Sequence, residues 1–210
     1  MNETSVMHAS NGVGQRHLLK AADTAVLLID VINDLEFPGG DQLLAQAQPM
    51  ARQIAHLKQR ARQAGVPVIY VNESRDRWHA SFSKEVDHCL RDNVRGQPVV
   101  RLLRPDSQDL FVLKPTSSNG LMTNLDTLID KLRVKTLVLT GLLSHLSILL
   151  TANDTYLSGF HLFVPGDCVA SKTDRDHHNT LEQMHRRLGA VISPSADLAF
   201  YGGGNDHGRG

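Results

Sequence analysis

The chain has 210 residues, of which 41% are hydrophobic, and its 22 Lys and Arg residues balance its 22 Asp and Glu residues. This length suits one sizeable α/β domain, and the balanced charge gives no reason to expect a nucleic-acid or acidic-membrane partner. The two cysteines, Cys89 and Cys168, cannot form a framework of several disulfide bridges, which suits the reducing cytoplasm, and they stand in no metal-like spacing. Because no apolar run approaches a signal peptide or membrane span, we expect no membrane segment.

The two ends of the chain differ in composition from its middle. Residues 1–20 are polar, and residues 201–210 are rich in glycine. We expect the first to be a flexible arm and the last a flexible tail, unless they pack on a neighbouring subunit. The domain is then predicted to cover residues 21–200.

The first predicted strand is TAVLLID, residues 24–30, and it ends on Asp30. In an open parallel sheet, ligands bind beyond the carboxyl ends of the strands, so Asp30 is a candidate site residue. The alternative is an ordinary turn or cap residue. A helix over residues 41–64, with apolar positions three and four apart, and a second strand over residues 66–71 follow.

Residues 72–95 are the least regular part of the chain and contain Trp78. This tryptophan is a candidate for the wall or lid of a pocket, although an aromatic cluster under a long loop also serves as plain packing. The next predicted strand, DLFVL at residues 109–113, runs directly into Lys114. Lys114 therefore occupies the same strand-end position as Asp30.

Residues 136–160 change period in the middle of the segment. A buried-type strand over residues 136–140 is followed by Gly141 and then by leucines at helical spacing. Ser144 is predicted to cap this helix, which places Ser147 in the first turn, near free amide groups and the positive end of the helix dipole. Ser147 is either a reactive group or a small polar residue at a helix start.

The remaining pattern continues the alternation of strands and helices. A strand is predicted at residues 161–165, a helix at 174–188 closed by Gly189, and a last strand at 190–193. Repeated βαβ units with right-handed crossovers give a parallel sheet covered by helices on both faces, a Rossmann-like three-layer sandwich.

Three of these strand ends carry reactive side chains, those of Asp30, Lys114 and Ser147. Such ends lie side by side in a doubly wound sheet, so the three are expected to meet in one pocket. The carboxylate would take a proton from a nucleophile or water, the lysine would oppose negative charge, and turn amides of Leu143 and Ser144 would form an oxyanion hole. Polar strand ends are common in α/β domains, so the spacing alone is a weak signal.

The chain resembles the isochorismatase-like hydrolase family, also called the cysteine hydrolase family, from about residue 23 to residue 193. The matching pieces are LLIDVINDL, FVLKP, LVLTGLLSHLSILLTANDTYLSGF and VPGDCVAS. The resemblance implies a six-stranded parallel sheet, a homodimer or homotetramer, and catalytic roles for Asp30 and Lys114. It also implies a non-proline cis peptide in the turn near Leu142 and Leu143.

The chain departs from the family pattern at the nucleophile. Most members carry a cysteine where this chain has Ser147, and a hydroxyl is much harder to ionise than a thiol. His145, a candidate pocket residue, stands where the family usually has an acidic or small polar residue. Because His145 and Ser147 are two positions apart on a helix, their side chains point to different sides. The isochorismatase branch also lacks the cysteine: there an aspartate protonates a vinyl ether and water completes hydrolysis, a role open to Asp30.

Metal and cofactor chemistry are not expected. The family's nicotinamidase branch binds metal through an aspartate and histidines after the second strand, where this chain reads NESRDRW, and no GxGxxG follows the first strand. Two hypotheses remain. The first is a hydrolase of a small organic substrate, an amide, ester or vinyl ether, using Asp30, Lys114 and Ser147. The alternative is a catalytically silent relative that binds a metabolite or a protein partner.

Overall fold

A computed structural model describes residues 6–9, 16–74, 81–115 and 123–202. These residues form an α/β fold in which a parallel six-stranded sheet lies between two layers of helices. The predicted fold class is therefore confirmed. The described strands are β1 Val6–Ala9, β2 Arg16–Lys20, β3 Thr24–Ile29, β4 Val68–Ser74, β5 Leu110–Pro115, β6 Thr136–Leu142, β7 His161–Phe163, β8 Val169–Ala170 and β9 Leu198–Tyr201. The described α-helices are α1 Gly40–Gln63, α2 Phe82–Arg91, α3 Gln97–Leu102, α4 Thr123–Lys131, α5 Leu149–Leu157 and α6 Asp174–Leu188.

The main sheet has the order β5-β4-β3-β6-β7, and β8 pairs with the end of β6. Every pairing in this sheet is parallel. Strand β3 is central and entirely buried, which explains its unbroken apolar sequence. Because the order places β5, β4, β3 and β6 side by side, their carboxyl ends share one edge of the sheet.

Side chains of β3 alternate between two hydrophobic cores, one on each face of the sheet. Val26 and Leu28 belong to the core that contains α1, α2 and α3. Leu27 and Ile29 belong to the core that contains α4, α5 and α6. Both helical layers thus bury their apolar stripes against the same strands, the arrangement expected of a three-layer sandwich.

The ordered domain begins before the predicted boundary at residue 21, because a small second sheet includes residues 16–20. Strand β2, Arg16–Lys20, pairs with β1 in antiparallel and with β9 in parallel orientation. His17 and Leu19 are buried, so this stretch packs on the domain, although the sequence analysis placed it in a flexible arm. Residues 203–210, most of the predicted tail, lie outside the described residues.

Several predicted strands also differ in extent from the observed ones, and two of these differences bear on the fold and the site. The segment 190–193 contributes only a single bridge, between Val191 and Phe163, and Pro194 follows it directly. Strand β4 instead continues to Ser74, three residues beyond the predicted end at residue 71, because β5 pairs with it through Ser74↔Pro115.

A polar network lies at the amino-terminal end of β5, the end away from Lys114. Lys58 of α1 donates to Tyr70 Oη at 2.6 Å and lies 2.9 Å from Asp109 Oδ2. Arg62 holds the same carboxylate through both oxygens, at 2.7 and 2.6 Å. Burial lowers the pKa of Lys58 and raises that of Tyr70. Burial also acts to raise the pKa of Asp109, but hydrogen bonds from Arg62, the backbone and Lys58 outweigh it, so that pKa lies below its ordinary value.

We expect this network to make folding depend on pH through Asp109. A carboxyl whose pKa is lower in the folded chain stabilises fully above the ordinary aspartate value of about 3.9 and loses that contribution as pH falls through the folded value. Asp109→Asn should lower the free energy of unfolding by about 3 kcal/mol at neutral pH, because it removes the nearer and buried charge partner of Lys58 and leaves only the exposed Asp106, 3.7 Å away. Urea unfolding at a series of pH values measures both effects.

Asp106→Asn is the matched control, because Asp106 also contacts Arg62 but its side chain is 58% exposed. This variant should change the free energy of unfolding by less than about 1 kcal/mol. Equal losses in the two variants, or an unchanged acid dependence in Asp109→Asn, would contradict the assignment.

Candidate functional site

Asp30 and Lys114 meet at the carboxyl edge of the sheet, as predicted from their strand-end positions. Lys114 Nζ donates to Asp30 Oδ2 at 3.0 Å. Lys114 is only 7% exposed and Asp30 only 6%. Since β4 lies between β5 and β3, this ion pair spans the end of an intervening strand.

The backbone of Asp30 breaks the alternation of β3. Its φ is 54°, in the left-handed region that non-glycine residues rarely adopt. Regular alternation would place Asp30 on the face of Val26 and Leu28, whereas Val112, two residues before Lys114, belongs to the opposite core. The left-handed conformation accompanies the turn of the carboxylate towards Lys114, and strained backbone of this kind clusters at functional positions.

Strand β4 adds two polar residues that the sequence analysis did not single out. The Glu73 N–H donates to Asp30 Oδ1 at 3.3 Å, and Glu73 Oε1 lies 3.9 Å from Lys114 Nζ. Asn72 donates from Nδ2 to the Ile32 carbonyl at 2.7 Å. The available signal was the one used for Asp30 and Lys114, since Asn72 and Glu73 also follow an apolar strand directly.

The turn after β6 depends on Gly141. Its φ is 130°, and a Cβ at this position would collide with the Ile29 carbonyl oxygen of β3. Leu143 follows with φ 56°. The cis peptide expected near Leu142 and Leu143 was wrong, because all peptide bonds of the described residues are trans and the positive φ angles of Gly141 and Leu143 complete the reversal.

A π-helical turn, Ser144–Ile148, carries Ser147 and continues into α5. Ser147 is 9% exposed, and its carbonyl accepts a hydrogen bond from Thr151 Oγ1 at 2.8 Å. π-Helical turns often occur at functional sites. The helix therefore begins where predicted, although its first turn is wider than an α-helical turn; the Ser144 side chain lies outside what the structure describes.

Asp30 and Ser147 line the same cavity, which has a volume of about 390 Å³. Leu143 and His145 also line it. Asp30 accepts hydrogen bonds from Lys114 and from the Glu73 amide, and no hydrogen bond between described side chains joins it to Ser147. Two of the three predicted residues, Asp30 and Ser147, thus line one cavity, and the third, Lys114, is joined to it through its bond to Asp30.

His145 and Lys172 also line the cavity. His145 is exposed, and its Nδ1 lies 3.3 Å from Ser171 Oγ. Lys172 Nζ donates to the Pro38 carbonyl at 3.1 Å and lies 5.4 Å from the centroid of the Phe37 ring. Trp78, the other predicted pocket residue, lies outside the described residues.

Neither cysteine lies in this cavity. Cys89 and Cys168 are both buried in the core beneath α1. Burial, followed by the nearby Asp167 carboxylate, raises the pKa of Cys168, which disfavours a thiolate. Asp167 itself accepts from the Ser195 N–H and hydroxyl, both at 2.8 Å, so it fixes the turn before β9.

Within residues 6–9, 16–74, 81–115 and 123–202, no three His, Cys, Asp or Glu side chains are grouped closely enough to hold a metal ion. None of the helices there combines the length and the apolar character needed to cross a bilayer.

Comparison with known proteins gives consistent matches along the chain. A family model described as the isochorismatase domain matches residues 24–196. YaaI of Bacillus subtilis strain 168, an uncharacterized isochorismatase family protein, is 33% identical over 180 residues, covering 86% of this chain and 98% of YaaI. The isochorismatase of the same strain is 27% identical over 174 residues, covering 80% of this chain and 55% of that enzyme.

A similar fold occurs among solved structures. A cysteine hydrolase from Pseudomonas syringae pv. phaseolicola 1448A superposes with a TM-score of 0.67 at 20% identity, covering 94% of this chain and 96% of the hydrolase. At this identity, the likeness concerns the fold.

Gly141→Ala should destabilise the chain and distort the site. The new Cβ would meet the Ile29 carbonyl, so β6 would have to move away from β3, at a cost of at least ~2 kcal/mol in the free energy of unfolding. Thermal and urea unfolding measure the loss.

Gly159→Ala is the matched control for Gly141→Ala. Gly159 also has a positive φ, 80°, but a Cβ there meets no atom within 4 Å. It should cost only about 1 kcal/mol. A smaller loss for Gly141→Ala than for Gly159→Ala would show that the contact with Ile29 does not constrain β6.

Proposed function

Because the chain belongs to the isochorismatase family, we propose that it is a hydrolase of a small organic substrate, an amide, ester or vinyl ether. The observation that carries the proposal is the buried ion pair, 3.0 Å long, between Lys114 and Asp30, a carboxylate that lines a cavity. A carboxylate fixed by a buried ammonium and open to a cavity is suited to proton transfer with a bound substrate or water.

Asp30 has the central part in this reaction. For an amide or ester, it takes a proton from the attacking water, the water oxygen bonds to the acyl carbon, and the bond to the leaving nitrogen or oxygen breaks as that atom receives the proton. For a vinyl ether, protonated Asp30 donates its proton to the double bond, water adds to the resulting oxocarbenium carbon and returns a proton to Asp30, and the hemiketal breaks its C–O bond to release an alcohol and a carbonyl compound. Lys114 keeps Asp30 oriented and opposes negative charge, and the amides of Leu143 and Ser144 are the proposed oxyanion donors.

We assign Ser147 to the cavity wall, where its hydroxyl orients the water. A serine nucleophile needs a base within hydrogen-bond reach, and no hydrogen bond between described side chains links Ser147 to Asp30. His145, which lines the same cavity, is proposed to contact the substrate. The chemistry calls for no cofactor or catalytic metal, and the proposed partner is a small molecule rather than nucleic acid or a membrane.

The second candidate is a catalytically silent relative that binds a metabolite or a protein partner. It is favoured by Ser147 itself, which stands where most members of the family carry the nucleophilic cysteine. The same binding cavity would then act without turnover.

The test compares variants on a panel of amides, esters and isochorismate. Asp30→Asn should lower kcat/KM at least ~100-fold, because it removes the proton-transferring group. Ser147→Ala should lower kcat/KM less than about 10-fold, since the proposal gives Ser147 no covalent role. Initial rates with purified protein measure both.

Asp130→Asn is the control, because Asp130 lies on the exposed surface of α4, and circular dichroism checks that each variant folds. A loss in Ser147→Ala as large as that in Asp30→Asn would assign Ser147 as the nucleophile. If the wild-type chain turns over no panel member faster than Asp30→Asn does, the silent relative is the better account; amidase activity gained by Ser147→Cys would then show that the site is otherwise intact.

The proposal includes a cytoplasmic homodimer or homotetramer. Tyr156 and Leu157 of α5 are 49% and 73% exposed, which supports an apolar contact surface on that helix. Light scattering should give two or four times the mass of the 23.1 kDa chain. A monomer at all concentrations would contradict the assembly.

A further inference from the structure

Lys172 brings a positive charge to the cavity that Asp30 and Ser147 line. The residue is half-buried, comes shortly after β8 and lines the same cavity. Its ammonium group has three N–H donors, and one of them contacts the Pro38 carbonyl at 3.1 Å. Among the described residues, Lys172 forms no ion pair with a carboxylate. The cavity therefore contains an ammonium group with no counter-ion in the described part of the chain.

The loop between β3 and α1 holds this ammonium in place. A Cβ added at Gly39 would lie 3.3 Å from Lys172 Cδ and Nζ, so the lysine side chain runs closely over that glycine. Lys172 Nζ also lies 5.4 Å from the centroid of the Phe37 ring, which lines the cavity as well. A carbonyl and an aromatic ring orient a cation without neutralising its charge. A group oriented in this way loses little freedom when a ligand binds.

We infer that Lys172 binds a carboxylate of the substrate at a point away from the bond that breaks, so the cavity favours small acids over their uncharged analogues. This inference rests on the proposed hydrolase function and deepens it, because it assigns a charge to the substrate. Lys172 is a specificity residue, and Asp30 remains the group that moves the proton.

The carboxylates of the same cavity limit where an anionic group can bind. They are those of Asp30, Glu73 and Glu85. Asp30 is neutralised by its 3.0 Å contact with Lys114, and Glu73 Oε1 lies 3.9 Å from the same ammonium. An anion placed next to Glu73 or Glu85 would be repelled. Lys172 therefore offers the favourable position for a negative charge among the described residues that line the cavity.

The order of the strands separates the two kinds of charge. Glu73 lies in β4. Glu85 lies on α2, whose Phe82 stacks on Phe111 of β5. Lys172 comes after β8, which pairs with β6 on the other side of β3. Acidic side chains thus border the cavity towards β4 and β5, and the ammonium borders it towards β8. This arrangement fixes the direction in which a substrate with one negative end lies across the end of β3.

The size and the charge of the cavity favour a carboxylate over a phosphate. A carboxylate brings one negative charge, which a single ammonium balances, whereas a phosphate group brings between about 1.5 and 2. The excess charge of a phosphate would remain in a cavity that Glu73 and Glu85 already make acidic. A volume of about 390 Å³ suits a small organic acid.

The experiment measures dissociation constants by calorimetry, and kcat/KM where turnover occurs, for three matched pairs. The pairs are succinamate and butanamide, 4-carbamoylbenzoate and 4-methylbenzamide, and monomethyl succinate and methyl butanoate. Within each pair a carboxylate replaces a methyl group and the scissile group stays the same. The wild type should bind the charged member more tightly, and Lys172→Met should lower this preference roughly 10-fold or more. Lys172→Arg, which keeps the charge, should retain most of it.

Lys172→Gln distinguishes binding of a carboxylate from a purely structural role in fastening the loop. Glutamine has no charge but can still donate to the Pro38 carbonyl, so we expect it to lose the preference as Lys172→Met does. The preference of the wild type should also weaken as the salt concentration rises. If Lys172 only fastened the loop, charged and uncharged members would weaken together, and Lys172→Gln would resemble the wild type.

Lys131→Met is the control for replacing a lysine by methionine, because Lys131 is exposed on α4, and it should leave the preference unchanged. Equal weakening of both members of each pair, or an unchanged preference in Lys172→Met, would overturn the inference and leave the hydrolase proposal in place.

Binding separates this inference from the proposed function. A preference for the charged members that disappears in Lys172→Met, without turnover by the wild type, would support the role of Lys172 and contradict the hydrolase. If the wild type binds no charged member more tightly than its uncharged analogue, the assigned role of Lys172 is wrong.

Discussion

The ion pair between Asp30 and Lys114 is the contact on which the carboxyl edge of the sheet depends. It joins the ends of β3 and β5, which are separated in the sheet by β4. The pair can therefore form only if the register of β4 lets its carboxyl end lie between the two side chains. The register supplies this, because Glu73 of β4 pairs with Lys114 and its N–H also reaches Asp30. A buried ion pair stabilises only when its geometry is good and its remaining groups are bonded. The three strand ends are thus fixed together.

A second constraint sets the distance of the serine from this pair. Gly141 lets β6 approach β3 so closely that no side chain fits between them, and the π-helical turn then carries Ser147 to the cavity wall. The serine reaches the cavity without a hydrogen bond to the carboxylate among the described side chains. A thiol at this position would need little help to ionise, whereas a hydroxyl needs an adjacent base. The geometry is consequently better suited to a water activated by Asp30.

Sequence reasoning found the site because strand ends are visible as apolar runs that stop on a polar residue. It placed Asp30, Lys114 and Ser147 on one edge; the structure brings Asp30 and Ser147 to one cavity and bonds Lys114 to Asp30. Asn72 and Glu73 carried the same signal, since they directly follow the apolar run of residues 66–71, but they were assigned to the irregular region because the extension of β4 to Ser74 depends on its pairing with β5. Strand β2 was missed because Arg16–Lys20 is ordered by β9, about 180 residues later, a pairing that a single sequence does not reveal. The prediction of a cis peptide near Leu142 and Leu143 was wrong, because trans peptide bonds with positive φ angles at Gly141 and Leu143 form the turn after β6.

The two edges of the sheet divide stability from recognition. At the amino-terminal edge, the Lys58, Arg62 and Asp109 side chains and the Tyr70 hydroxyl bind one another. This network therefore stabilises the fold and has no evident role in ligand binding. At the carboxyl edge, the buried Asn72 oxygen has no hydrogen-bond partner among the described residues, and Asp30 adopts a left-handed backbone. Local conflicts of this kind cluster at functional sites of natural proteins. Both residues line the same cavity, and this coincidence is a physical reason to regard that cavity as a binding site rather than a packing defect.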